Sequence, residues 1–169
     1  TATDLAGLRG ARRERPSVIV ASEGADFLEG QIDRVDEAFT RWKLRHLQLT
    51  HYRVNELGDI QTEARVHDGL TKFGAEVIRR CNQLGIVVDE AHGTYDLVKQ
   101  AAKVTTKPLV ISHTSYVQRP GSMTRQISEE HARVIANTGG MIGFWPPTTI
   151  FPHLAAPAEG IGKLADKVG

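Results

Sequence analysis

Four side chains suited to metal binding or acid–base chemistry each follow a short apolar run. Glu23 comes after VIVAS, His51 after LQLT, His92 after IVVDEA and His113 after LVIS. Carboxylates and neutral imidazoles are zinc ligands, and either group can hold or move a proton. Taken singly, each has a plain structural reading: a histidine after a strand is usually a hydrogen-bonded loop residue, and a glutamate beside glycine a solvated turn. Glu23, His92 and His113 together resist that reading, because all fall at the same end of successive runs. His92 and His113 lie too far apart for a single-helix HExxH site, so a shared ion would have to be assembled by the fold. The other histidines keep the structural reading: His46 inside a strand, His67 in a polar loop, His131 on a helix and His153 in a proline-rich loop.

The elements that must position these residues alternate. Apolar runs at Val18–Val20, Leu44–Thr50, Ile86–Asp89, Leu109–Ser112 and Gly140–Trp145 predict strands buried on both faces. Between them the spacing predicts helices. FLEGQIDRVDEAFTRWK puts Phe27, Ile32, Val35, Ala38, Phe39 and Trp42 near one stripe. LTKFGAEVIRRCNQLG does the same with Phe73, Val77, Ile78, Cys81 and Leu84, capped by Thr71 and stopped by Gly85. TYDLVKQAAKVTTKP, ISEEHARVIANTGG with Ser128 as its cap, and GIGKLADKVG complete the set, and Tyr52–Gly69 reads as a long polar loop. Repeated strand–helix units imply a parallel α/β sheet, either open and doubly wound or part of a (β/α)8 barrel. No GxGxxG or GxxxxGK[ST] follows a strand, which removes support for the usual nucleotide-binding open sheets. In a barrel the strand ends converge on one mouth, which favours the barrel reading, with about five βα units in one domain spanning residues 1–169.

Composition excludes other classes. The 169 residues carry 21 Lys+Arg against 20 Asp+Glu, so no basic stripe points to nucleic acid. No run approaches the ~18 apolar residues of a membrane span, and the first residues lack the apolar core of a secretion signal. The single cysteine, Cys81, lies on the apolar stripe of a helix and reads as core; with no disulfide to form, a reducing, cytoplasmic location is expected.

The blocks ASEGADFLEG, LQLTHYRVNELGD, GLTKFGAEVIRRCNQLGIVVDEAH and LVISHTS, in order from about Ser17 onward, resemble the membrane (renal) dipeptidase family, zinc peptidases of the amidohydrolase superfamily. The resemblance implies a TIM-type barrel with a binuclear zinc site that hydrolyses dipeptides by a zinc-activated water. It makes Glu23 the carboxylate bridging both metals, and His92 and His113 the ligands of the second. It makes His51 the catalytic residue that reaches the scissile carbonyl, and Arg125, in MTRQISEEH, the partner of the substrate carboxylate. Tyr52 and Asn55 would shape the substrate site. The chemistry is coherent: paired zinc ions acidify water, imidazole N–H stabilises an oxyanion, and a guanidinium fork fits a carboxylate. Without the resemblance, Arg125 is a solvated charge before a helix.

The sequence also departs from the family. No His-x-Asp pair, expected at the first barrel strand, occurs in these residues, nor does the Gly-x-Asp-x-Asp-Gly-like stretch of the last strand. The chain thus reads as the middle of such a barrel, with donors for one of two Zn2+ ions, poor hydrolysis on its own, and edges that seek a complementing segment or a second copy. Glu90 stands where the family usually has an apolar residue. It would either meet a polar neighbour or mark altered surroundings of His92. Three functions compete: a zinc dipeptidase, a metal-binding or structural module acting through a partner, and an amidohydrolase for another amide or lactone.

Overall fold

A computed structural model describes residues 3–10, 16–116, 124–146, 153 and 155–168. The strands are short, mostly apolar stretches, and every pairing between them is parallel. They are β1 (Val20–Ser22), β2 (Leu44–Gln48), β3 (Val87–Asp89), β4 (Leu109–Tyr116), β5 (Gln126–Ile127) and β6 (Met141–Phe144). The sheet runs β1-β2-β3-β4, with β6 beside β4 and β5 against the far end of β4. The α-helices among the described residues are α1 (Leu5–Arg9), α2 (Asp33–Thr40), α3 (Lys72–Leu84), α4 (Tyr95–Val104), α5 (Glu129–Asn137) and α6 (Ala155–Val168). This is the parallel α/β architecture expected of a partial barrel. No helix among the described residues is long and apolar enough to cross a membrane.

The helices pack their apolar faces on the sheet. Val77, Ile78 and Cys81 of α3, Val98 and Ala101 of α4, and Ala132 and Ile135 of α5 join Leu47, Val88, Leu109 and Ile111 in one buried cluster. Caps fall where the side chains allow: Thr71, Thr94 and Ser128 accept a backbone N–H at the starts of α3, α4 and α5. Gly85 ends α3 in the left-handed region at φ 75°.

Several expectations need correction. The first strand begins at Val20, where pairing with Leu44 starts, and Val18 and Ile19 ahead of it are exposed. The long helix expected from Phe27 is broken. A 3-10 turn at Asp26–Leu28 ends in Glu29 and Gly30, both at positive φ, before α2 starts. Phe27 and Trp42 therefore leave the buried stripe, and Leu28 takes the core position. β4 runs on to Tyr116, so His113 lies within the strand rather than after it. β5 and α1 were unforeseen, and α6 starts earlier than GIGKLADKVG suggested.

The Tyr52–Gly69 loop is not simply solvated. Leu57 and Ile60 are buried, and the buried Asp59 carboxylate accepts backbone N–H bonds from Val66, His67 and Gly69. Burial works to raise the Asp59 carboxyl, but these bonds outweigh it and hold it low. Ile60 bridges Gly93, which stitches this loop to the turn after β3.

Candidate metal centre

Glu23 leaves β1 where Gly24, at φ 92°, turns the chain; a Cβ there would press on the Cβ of His51 at 3.1 Å. The Ala25 N–H donates to the Leu49 carbonyl at 3.3 Å, holding the two strand ends together beyond their formal pairing. His92 sits in the left-handed region at φ 73°, costly for a residue with a Cβ. The turn holding it there is pinned by Asp89, whose Oδ1 accepts from Ala91 N at 2.9 Å and Ser112 N at 3.0 Å. His46 Nε2 meets the other oxygen at 2.9 Å. Burial acts to raise the Asp89 carboxyl, yet these bonds keep it below the ordinary carboxylate range.

The strand ends bring four predicted residues into contact. His51 Nε2 lies 3.1 Å and His113 Nε2 3.4 Å from Glu23 Oε1. His92 Nε2 is 3.2 Å from His113 Nε2. One ligand atom each from Glu23, His92 and His113 fall within 4.8 Å of one another. Tetrahedral zinc with bonds of about 2.0–2.2 Å spaces its ligand atoms roughly 3.3–3.6 Å apart; the donor types suit the ion, and the His92–His113 and His113–Glu23 separations are close to that spacing. Ser112 Oγ lies 2.8 Å from His113 Nδ1. In the tautomer with Nδ1 as donor, His113 Nε2 offers a lone pair to the shared point. Burial, with Arg125 nearby, pushes the His92 imidazole down to about 3 and lowers that of His113. Both rings are therefore neutral at neutral pH and able to ligate.

These residues line a cavity of about 320 Å³. His51 and the exposed Tyr52 stand on one side, with ring centroids 3.9 Å apart. Arg125 closes another side, with Thr62 and Trp145 completing the wall. The Arg125 guanidinium donates to Gln61 Oε1 and to the His113 carbonyl, both at 3.2 Å, and no carboxylate among the described residues pairs with it. Burial lowers its pKa, but a guanidinium stays charged. The solvated reading of Arg125 thus gives way to a partly desolvated cation facing a cavity.

Asn55 does not reach the cavity wall. Its amide donates to Leu49 O at 3.0 Å and its Oδ1 accepts from Leu57 N at 2.9 Å, so it braces the loop behind His51. Glu90 does not meet a polar neighbour. It lies within electrostatic reach of Cys81 on α3, and neither carboxyl oxygen has a hydrogen-bond partner among the described residues. Burial raises its pKa well above the ordinary value, and Asp89 adds to this. The same surroundings push the Cys81 thiol up to about 12, in keeping with a core role. Gln61, Thr62 and Trp145 were missed, because no motif marks them and their placement depends on distant partners.

Residues 1–153 match the family model described as membrane dipeptidase, peptidase family M19. A dipeptidase of Claviceps purpurea is 32% identical over 98 residues, 57% of this chain and 23% of that protein. An amidohydrolase from Pseudomonas aeruginosa superposes with TM-score 0.86 at 24% identity, covering 99% of this chain and 52% of that one. A metallopeptidase from Rhodobacter sphaeroides, solved with a phosphinate mimic of the dipeptide L-Ala-D-Ala, gives TM-score 0.79 at 22% identity over 92% of this chain and 48% of that one. The chain therefore spans about half the length of these solved relatives, which share its fold. With the family model matched over nine-tenths of its length and the donor set at the strand ends, the chain belongs to the membrane dipeptidase family, peptidase family M19.

Proposed function

We propose that this chain is the core of a zinc-dependent dipeptidase, one partial barrel domain completed by further strands. The observation that carries this reading is the meeting of Glu23, His92 and His113 in the same cavity as a guanidinium without a carboxylate partner among the described residues. Zinc held by those three side chains would supply a Lewis acid and an acidified water. The remaining work falls to the chain itself. Arg125 receives the terminal carboxylate of a dipeptide by a forked, charge-assisted contact. His51, whose Nε2 lies 3.1 Å from Glu23 Oε1, would turn that N–H from the carboxylate to the carbonyl oxygen as negative charge develops there. Tyr52 and Trp145 shield the cavity mouth from water, and the second carboxylate oxygen of Glu23 would be available to a further ion.

These 169 residues contain no His-x-Asp pair, so they supply donors for one ion. The expected result is one zinc per chain by elemental analysis, weak binding of Ala-Ala, and little dipeptide turnover by the purified chain. Loss of zinc on Glu23→Ala or His92→Ala is expected with it. A chain that takes up no zinc, or whose zinc is untouched by both substitutions, would refute the reading.

A further inference from the structure

Among the described residues, the Arg125 guanidinium in the cavity hydrogen-bonds to neutral groups only, with the carboxylates of Glu23 and Asp89 within electrostatic reach. Arg125 donates to the Gln61 side-chain oxygen and to the His113 carbonyl. Both acceptors are uncharged, so no carboxylate occupies the guanidinium fork, which stays open to an incoming anion in a partly desolvated site. Gln61 is fixed from three directions. Its backbone N–H donates to the His92 carbonyl at 2.8 Å, and its side-chain amide donates to the Gln126 carbonyl at 2.9 Å. Beside it, Ile60 bridges Gly93. One residue of the long loop thus joins the turn that carries His92 to the strand that follows Arg125.

We infer that Gln61 is a positioning residue for carboxylate recognition: it holds the Arg125 fork toward the cavity and, being neutral, leaves that charge free for the C-terminal carboxylate of the substrate. This deepens the proposed function and rests on the assignment of Arg125 as the carboxylate anchor. The residue type is what matters. A glutamate at position 61 would occupy the guanidinium internally, and its carboxylate would oppose the Gln126 carbonyl. An alanine would leave the charge free but the fork unaimed.

The experiment compares Ala-Ala with its C-terminal amide on the zinc-loaded chain, with affinities from NMR titration of the histidine ring signals. Zinc affinity is measured separately by chelator competition. The parent is expected to prefer the free acid by about tenfold or more, the weight of a charge-assisted contact. Arg125→Ala should erase that preference. Gln61→Glu should shrink it by about tenfold and Gln61→Ala by about threefold, with zinc affinity changed less than about twofold in both. A merely structural role would weaken acid, amide and zinc together and leave the preference intact. If Arg125→Ala erases the preference while both Gln61 variants retain it, the role given to Gln61 is wrong and the arginine assignment stands. If the parent shows no preference, or Arg125→Ala retains it, both fall.

Discussion

On the cavity face of β3, Asp89 accepts hydrogen bonds from Ala91, Ser112 and His46 and lies within electrostatic reach of His92, His113 and Arg125. One residue on, Glu90 points to the helix layer and has no hydrogen-bond partner among the described residues. His131 on α5 resembles Glu90: it is buried against Tyr95, and its Nε2 is also unpartnered there. Both faces bury titratable groups. On the cavity face hydrogen bonds keep Asp89 ionised; on the helix face burial drives Glu90 and His131 to their neutral forms. Partnered polar groups define the site, and unpartnered ones cost stability that the surrounding core must offset.

The comparison breaks most visibly at the metal ligands. Removal of one of three donors, as His92→Ala or His113→Ala, is expected to lower zinc affinity by about 1,000-fold, measured by chelator competition. Affinity within threefold of the parent in both variants would mean that the cavity face holds no ion. The next largest effect belongs to Asp89→Asn. An amide there can keep its oxygen toward the Ala91 and Ser112 N–H groups, but it turns its NH2 toward His46 Nε2 and loses the charge that strengthens all three contacts, so about 2 kcal/mol of stability should be lost in urea denaturation. Zinc should bind about tenfold more weakly, because the anchor of the His92 turn is weakened. A stable, tight-binding Asp89→Asn chain would show that the partners of Asp89 are incidental.

How much of this could be read in advance follows from the range of each interaction. Glu23, His51, His92 and His113 were legible because each ends an apolar run, and parallel strands gather their ends on one side. The helices α3, α4 and α5 were legible from local spacing and caps. Phe27 and Trp42 were misplaced because their periodicity runs through Glu29, whose left-handed backbone breaks the helix. Arg125 was reachable only by family resemblance, and Gln61 not at all, since its partner lies 64 residues away. Asp59 was hidden for a related reason: its partners are backbone groups of its own loop, which have no sequence signature.

His131 sharpens the comparison through pH. Burial pushes its imidazole down to about 4 from an ordinary 6.5, so the folded chain keeps it neutral while the unfolded chain takes up a proton. Its contribution is intact above pH 6.5 and is lost as pH falls from about 6.5 toward about 4. His131→Phe preserves an aromatic ring against Tyr95 and removes the titration. The parent should therefore lose on the order of 2 kcal/mol more than the variant between neutral pH and pH 4.5 in denaturant melts. Stability profiles that stay parallel across that interval would place the histidine in a solvated setting.

Glu90→Leu offers the smallest effect and the most direct contrast with Asp89, because the sign is expected to reverse. Burial favours the neutral form of the Glu90 carboxyl, and its replacement removes no charge pair and no hydrogen bond among the described residues. Leucine has a similar volume and suits the apolar cluster around Cys81, Val88 and Val98. The substitution relieves the burial of two unpaired oxygens at a modest repacking cost, for a gain of about 1 kcal/mol. Zinc affinity should stay unchanged, since Glu90 lies on the other side of the strand from the donors. A loss of stability would instead mean that the carboxyl has found a partner in the helix layer, and the two faces of β3 would then bury their acids by the same rule.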